Sequence, residues 1–378
     1  MKLFRKAILP LGFKASGLAC GVKKSGKLDL ALFYSEFPAK GACLFTTNKI
    51  QAAPVKVSKD HLRLTRSFQA IIANSGNANC FTGRQGFLDA QAMARAAADA
   101  LSLRKENILV NSTGVIGKKL PIEKIASAIP ALVKGLSRQG IDKAKKAILT
   151  TDLFVKEVCV RVNIANKPVT ICGVAKGAGM IAPNMATMLA FILTDAHIGR
   201  DALNKALTVA VNESFNCITV DGCMSTNDSV MVLANAAAAN KAIVGGRDLE
   251  IFTQALNLVC LELAKMVVRD AEGASKFIKI TVDKAKSDHE AKRAALGIAN
   301  SNLFKTAIFG ENPNFGRIVA GIGASGVAVS EEGLRMKVSP LGKKEIHVKV
   351  SLGEGKGSAT VYTSDLTPEY IRINAEYN

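Results

Sequence analysis

Apolar residues recur along this chain with two periods, and the switches between them mark its elements. In the first eighty residues the short period dominates. Leu28 to Tyr34, Ala42 to Phe45 and Gln69-Ala70-Ile71-Ile72-Ala73 read as strands separated by turns. The last of these runs into Asn74-Ser75-Gly76-Asn77-Ala78-Asn79, which predicts a turn of small polar residues. From Leu88 to Leu101 the spacing becomes helical, with Met93, Ala96, Ala97 and Ala100 on one face. A strand at Ile108-Leu109-Val110 enters Asn111-Ser112-Thr113-Gly114-Val115-Ile116-Gly117. Pro121 then opens a second helix carrying Ile122, Ile125, Ile129, Leu132 and Val133, with a kink or interruption expected at Pro130.

The second half mixes the same signals. Val155 to Val174 predicts strands around a turn at Asn166-Lys167-Pro168, and Met188 to Leu193 is a further apolar run. Leu203, Ala206, Leu207, Ala210 and Val211 define a helix capped near Asp201. The turn segment Asp221 to Ser229 leads into the strand Val230-Met231-Val232-Leu233. A long helix follows from about Asp248 to Val268. A loop, Arg269 to Lys276, precedes a strand from Phe277 to Val282. Ile346 to Val350 and Ala359 to Tyr362 alternate as strands. No fixed-period repeat or low-complexity linker interrupts this order. The pattern is that of an α/β or α+β chain with a compact main unit and a smaller C-terminal lobe.

Composition narrows the class. The 378 residues are 48% hydrophobic and 21% charged, enough for a large core in one large or two ordinary domains. No uninterrupted apolar run reaches the length of a membrane span, so no membrane partner is expected. Met1 to Leu11 has a short apolar run that meets Pro10, and it reads as mature sequence, not a signal peptide. Eight scattered cysteines without a CxxC pair fit reduced thiols in a cytoplasmic protein. Four histidines far apart in sequence give no metal-ligand spacing, so no metal site is expected. The formal net charge is +19, but the basic residues are dispersed, aromatics are 5% and Trp is absent. That balance argues against nucleic acid and for a solvated basic surface able to attract anionic metabolites.

One segment stands apart: Lys176-Gly177-Ala178-Gly179-Met180-Ile181-Ala182-Pro183-Asn184-Met185-Ala186-Thr187-Met188-Leu189. It is too rich in glycine for an ordinary helix and too apolar for an ordinary surface loop. It delivers Thr187 at the head of an apolar strand. A threonine hydroxyl needs a base, and a free α-amino group on the same residue serves if the Ala186–Thr187 bond is cut. The alternative is that Thr187 merely starts a strand, and residue types alone leave both open. Three other positions carry the same ambiguity. Thr113-Gly114 offers a hydroxyl and a backbone N–H to an oxyanion, or is a turn. Lys176 pairs with a carboxylate or favours a neutral amine at Thr187, or is a surface lysine. Glu272 receives an ammonium group, or is a helix-exit carboxylate.

These segments together resemble the glutamate N-acetyltransferase family, also called ornithine acetyltransferase, of the arginine pathway. The resemblance covers nearly the whole chain. It runs through Gly12-Phe13-Lys14-Ala15-Ser16-Gly17, Phe45-Thr46-Thr47-Asn48, Ala52-Ala53-Pro54-Val55, Asn74 to Asn79, Ser112 to Gly117 and Thr150-Thr151-Asp152. It continues in Lys176 to Leu189, Asp221-Gly222-Cys223-Met224-Ser225-Thr226-Asn227-Asp228 and Asn314-Phe315-Gly316-Arg317-Ile318. The resemblance implies self-cleavage between Ala186 and Thr187, giving an α chain of residues 1–186 and a β chain of 187–378 that together form one catalytic unit. It implies a ping-pong transfer in which Thr187 takes the acetyl group of N-acetylornithine and passes it to glutamate. Thr113 and Gly114 would stabilise the oxyanion, and Thr150, Lys176, Thr187, Glu272 and Asn374 would contact substrate. The implied fold is a layered α/β/β/α sandwich, the assembly an α2β2 heterotetramer, and no cofactor is required.

Some members also accept acetyl-CoA as co-substrate, and the sequence does not separate these cases. A self-processed amidohydrolase or aminopeptidase of similar fold is the alternative enzyme class. The chain departs from the family pattern at Asn312 and Phe315, where Asp and Trp are usual. It also departs at Tyr377-Asn378, where a terminal Ser or Thr usually touches substrate.

Overall fold

In a computed structural model of the protein, residues 1–182 and 188–376 are described. They fall into two compact units. The first is drawn from Met1–Gly177, Asn184–Ser214 and Met224–Leu263, the second from Ala178–Pro183, Phe215–Cys223 and Ala264–Asn378.

The first unit contains β1 (Lys2–Phe4), β2 (Phe13–Leu18), β3 (Leu30–Phe45), α1 (Ala53–Leu64), β4 (Phe68–Asn77), α2 (Gly83–Leu101), β5 (Ile108–Val115), α3 (Ile122–Lys134) and α4 (Ile141–Ala147). It continues with β6 (Lys156–Ile164), β7 (Lys167–Lys176), β8 (Leu189–Thr194), α5 (Arg200–Asn212), β9 (Ser229–Ala234) and α6 (Gly246–Arg269), whose last turns belong to the second unit. The strand order is β1-β6-β7-β8-β9-β3-β4-β5, with β2 also on β3. β3 serves two sheets. Its first half pairs with β2 and β4, and Lys40 to Phe45 pair with β9. The sequence had divided this strand in two at the polar stretch around Pro38. The register against β4 shifts there, between Tyr34 and Ala39, which accommodates a residue without an N–H.

The period-2 alternation sorts the layers. Ala31 and Phe33 of β3, Ile71 of β4 and Leu109 of β5 share a core with Val174 of β7, Phe191 of β8 and Met231 of β9. The rings of Phe33 and Phe191 meet there at 5.1 Å between centroids. The alternate residues Leu30, Leu32, Ala70, Ile72, Ile108 and Val110 pack under α1, α2 and α3. On the opposite side α6 approaches β7 so closely that a Cβ at Gly173 would lie 2.7 Å from Val259 and 2.8 Å from Leu263. The result is the expected α/β/β/α sandwich. β8 and β9 run parallel and are buried along their whole length, as strands covered on both faces must be.

Several sequence expectations change. α1 was not anticipated because its buried face is partly polar. Ser58 Oγ donates to Val110 O at 2.7 Å, and His61 Nδ1 lies 2.7 Å from Ile108 O. Asn74 to Asn77 belong to β4 and not to a turn. Their polar groups are paired inside, as in Ser112 Oγ to Asn74 Oδ1 at 2.6 Å. α3 runs unbroken through Pro130, held by buried Ile125, Ile129 and Leu132 on one face. The Asn166 turn is a two-residue hairpin in which Ala165 and Asn166 both take positive φ. α6 is, among the described residues, long and apolar enough to cross a membrane, with mean hydropathy 1.6. Half of that stretch is buried inside the protein, and Phe252, Leu256, Val259 and Leu263 are wholly covered.

The second unit contains β10 (Phe277–Ala285), α7 (Asp288–Ala299), α8 (Asn302–Phe309), α9 (Gly316–Ala324), β11 (Arg335–Val338), β12 (Glu345–Ser351), β13 (Gly357–Ser364) and α10 (Pro368–Glu376). Its sheet has the order β11-β12-β10-β13, with β10 and β12 parallel. Ile278, Ile280 and Val282 alternate inward against Ala291, Ala294, Ala295 and Ile298 of α7. This is the smaller C-terminal lobe. Its helices α7 to α10, and β11, were missed because Ala- and Gly-rich faces such as those of α7 and α9 give weak hydrophobic periodicity.

Candidate active site

β4 and β5 run parallel, and their register slips at Gly76/Asn77 as β5 ends at Thr113, Gly114 and Val115. Gly114 has φ +132, and a Cβ there would lie 2.4 Å from the Gly76 carbonyl carbon and 2.5 Å from the Asn77 nitrogen. Only glycine fits this backbone. Thr113 is buried, and its Oγ1 receives a hydrogen bond from Lys176 Nζ at 3.2 Å. Lys176 is the last residue of β7 and is itself buried. An ammonium group only donates, so the threonine oxygen accepts and its hydroxyl proton is left to donate to a third group.

A buried carboxylate underlies this pair. Asp152 Oδ1 accepts from the Gly177 N–H at 2.7 Å and pairs with Lys156 Nζ, while Oδ2 accepts from the Thr150 N–H at 2.9 Å. The Asp152 and Lys156 side chains are both fully covered. Burial works to raise the Asp152 carboxyl, but the charges of Lys176 and Lys156 and the Thr150 N–H outweigh it and hold it at about 2. Lys23 adds a further cation. Its Nζ donates to Leu28 O at 2.8 Å and Leu149 O at 2.7 Å, and burial brings its ammonium down to about 8. Thr150 enters this arrangement through its backbone.

At the other end of the β7 and β8 pairing, Lys176 stands opposite Leu189. Met188, just before β8, is fixed on both sides. Its N–H donates to Asp228 Oδ1 at 2.8 Å, and its carbonyl accepts from Ser229 N at 3.1 Å. Burial pushes the Asp228 carboxyl well above the usual carboxylate range. Ala186 and Thr187, the expected cleavage pair and nucleophile, lie outside the described residues, as does Asn378.

In the second unit, the loop after α6 brings Glu272 against Gly179, where a Cβ would fall 2.2 Å from Glu272 Oε2. The Glu272 N–H donates to Ala178 O at 3.0 Å. Asn374, which the sequence alone would place in a tail, lies on α10. Its Nδ2 donates to Glu272 Oε2 at 2.9 Å and to Tyr370 O at 3.0 Å. Asp221 anchors the same region by accepting from the N–H groups of Met180 at 2.6 Å and Ile181 at 2.9 Å and from Tyr370 OH at 3.2 Å. Burial raises its carboxyl above the ordinary value.

The structure therefore joins Thr113, Gly114 and Lys176 in one unit, with Thr150 alongside through Asp152, and joins Glu272 and Asn374 in the other. Sequence reasoning assigned no role to Lys23, Lys156, Asn227, Asp228 or Tyr370. The lysine at the start of the apolar run Lys156–Ile164 was the available signal for Lys156, since a charge there must find a partner when buried.

The model of the ArgJ family matches residues 14–342 and 335–378 of the chain. The chain is 44% identical to the arginine biosynthesis bifunctional protein ArgJ of Caldanaerobacter subterraneus subsp. tengcongensis, over 98% of both chains. It is equally 44% identical to that of Geobacter sulfurreducens, over 97% of this chain and 98% of that one. Among solved structures it is similar to ornithine acetyltransferase complexed with ornithine from Mycobacterium tuberculosis. That match has 40% identity and a TM-score of 0.45, and covers 48% of this chain and 97% of that chain.

Proposed function

We propose, for a chain that belongs to the ArgJ family, an acetyl transfer in arginine biosynthesis from N-acetylornithine to glutamate. The enzyme first cuts itself. The Thr187 hydroxyl attacks the Ala186 carbonyl carbon, the amide nitrogen leaves as an amine, and water hydrolyses the resulting ester. The products are a carboxylate at Ala186 and a free α-amino group at Thr187, which then serves as the base for its own hydroxyl.

In turnover the amine takes the hydroxyl proton and Thr187 Oγ bonds the acetyl carbon. Negative charge collects on the acetyl oxygen, where the Thr113 hydroxyl and the Gly114 N–H donate to it. The C–N bond breaks and ornithine leaves with the proton, giving acetyl-Thr187. The amine of glutamate attacks this ester, and Thr187 recovers its proton. Lys176 disfavours a second positive charge, which keeps the Thr187 amine neutral. Thr150, Lys176, Glu272 and Asn374 hold substrate, Glu272 by its charge on the ornithine ammonium group. Acetyl-CoA serves as a second donor, in keeping with the word bifunctional in the relatives' names. The cut chains assemble as α2β2 in the cytoplasm, and no cofactor takes part.

The observation that carries this reading is the Lys176–Thr113 contact beside Gly114, which leaves the Thr113 hydroxyl proton to donate next to the Gly114 backbone at the same strand end. The test begins with the intact mass of the denatured protein. Two fragments, one with Thr187 at its N-terminus, are expected, and a single uncut chain refutes the processed nucleophile. N-acetylornithine consumption should then require glutamate, whereas equal turnover without it would identify a hydrolase. Thr187→Ala should remain uncut and inactive.

A further inference from the structure

The segment Ser225-Thr226-Asn227-Asp228 has no part in the scheme above, yet two of its side chains reach two functional strand ends within the first unit. Asn227 Nδ2 donates to Ala78 O at 2.7 Å and to Ser112 O at 2.8 Å. The Ser112 carbonyl belongs to the same planar peptide as the Thr113 N–H, so this bond fixes the peptide leading into Thr113 and Gly114. Asn227 Oδ1 accepts from Thr226 Oγ1 at 2.7 Å, which sets the amide's orientation.

One residue later, Asp228 Oδ1 holds the Met188 N–H at 2.8 Å, and the Asp228 carbonyl accepts from Thr46 N at 2.9 Å. Both side chains are buried, Asp228 completely. Asp228 Oδ2 has no hydrogen-bond partner among the described residues. The Thr46 and Ser225 hydroxyls both lie close enough to the carboxyl to favour its charged form, and Thr46 Oγ1 also donates to Ser225 O at 2.7 Å. A hydrocarbon side chain would fill this place without the cost of burying a carboxyl group. Retaining an acid there is explained if its acceptor oxygen is what places Met188, and with it the residue before.

We propose that Asn227 and Asp228 are positioning residues of the acetyl transfer, holding the oxyanion end of β5 and the head of β8 at a fixed spacing. The inference rests on the reading of Thr187 as nucleophile. Ångström-scale placement of a nucleophile against its oxyanion donors changes rates by orders of magnitude without much effect on ground-state binding.

The test uses the full chain and assays wild type and variants in parallel for cleavage, kcat and KM with N-acetylornithine and glutamate. Asp228→Ala is expected to lower kcat about 10–100-fold and slow self-cleavage, with KM within about 3-fold of wild type. Asp228→Asn keeps an acceptor for the Met188 N–H and should restore kcat to within about 5-fold of wild type. Asn227→Ser, too short to reach both carbonyls, should repeat the kcat loss. A wild type that is uncut and inactive defeats the Thr187 reading itself. An active wild type accompanied by an Asp228→Ala variant of equal kcat, or by an Asp228→Asn variant no better than Asp228→Ala, overturns the positioning role alone. Should Asp228→Ala fail to fold by circular dichroism, Asn227→Ser decides, and an unchanged kcat there overturns the proposal.

Discussion

Replacing Asp152 by Asn isolates the charge that supports the Lys176 strand end. The folded protein holds this carboxyl at about 2 against an ordinary 3.8, and its side chain is fully covered. That difference corresponds to about 2 kcal/mol of stability at neutral pH. Asp152→Asn also takes the carboxylate partner from buried Lys156, and breaking one side of a buried pair costs about 3–5 kcal/mol. The two figures describe overlapping interactions, so a loss of about 2–5 kcal/mol is expected, not their sum.

The sign of the pH dependence follows from the folded value lying below the unfolded one. The contribution is fully present above the ordinary carboxyl value and fades as pH falls toward 2. Between about pH 5 and pH 3 the gap between wild type and variant should narrow by about 1 kcal/mol. Urea unfolding of the uncut Thr187→Ala chain, with and without Asp152→Asn, followed by far-ultraviolet circular dichroism measures it on a single polypeptide, since the chain has no Trp to report by fluorescence. A variant within about 0.5 kcal/mol of wild type at pH 7, or a gap that stays constant from pH 5 to pH 3, refutes the assigned charge.

Thr113→Val removes the hydroxyl proton and the acceptor for buried Lys176 Nζ, and should lower kcat about 10²–10³-fold with little change in KM and a stability loss of about 1–3 kcal/mol. A kcat within a few-fold of wild type would remove Thr113 from the oxyanion site. Glu272→Gln should raise KM for N-acetylornithine by about 10–100-fold, the weight of a hydrogen bond to a charged group, and an unchanged KM would dismiss Glu272 as the ammonium partner. Gly179→Ala pushes a methyl group into the Glu272 carboxylate, 2.2 Å away, and should raise the same KM while circular dichroism stays native.

The parts of the fold that were legible beforehand are those in which one face is plainly apolar. The β6–β7 hairpin, β8, β9 and α6 declared themselves through Val, Ile and Leu at regular spacing. Elements whose buried faces are polar or made of alanine did not. Ser58 and His61 concealed α1, and Ala291, Ala294 and Ala295 concealed α7. The candidate site was legible as residue types in loops, but the contacts that organise it were not. Lys176 and Thr113 are far apart in sequence and meet only because β5 and β7 end near each other. Asp152 stood only within the segment Thr150-Thr151-Asp152 that carries part of the family resemblance, and nothing local indicates that it collects Lys156, Thr150 and the Gly177 N–H. Long-range charge pairing of this kind leaves no periodic trace.

The antiparallel ladder from Ile171–Thr194 to Lys176–Leu189 has a kinetic consequence. The proposed scission falls in the connection between these two neighbouring strands, so the products share the interior of one sheet. Before the cut, β7 and β8 find each other as parts of a single molecule at high effective concentration. After it, unfolding releases two separate polypeptides whose reunion depends on their concentration. The mature protein would thus remember its uncut precursor: its fold is reached most readily once, before processing, and a denatured sample should recover poorly on dilution. Separately expressed fragments would each present unpaired strand edges, the state in which chains aggregate rather than assemble.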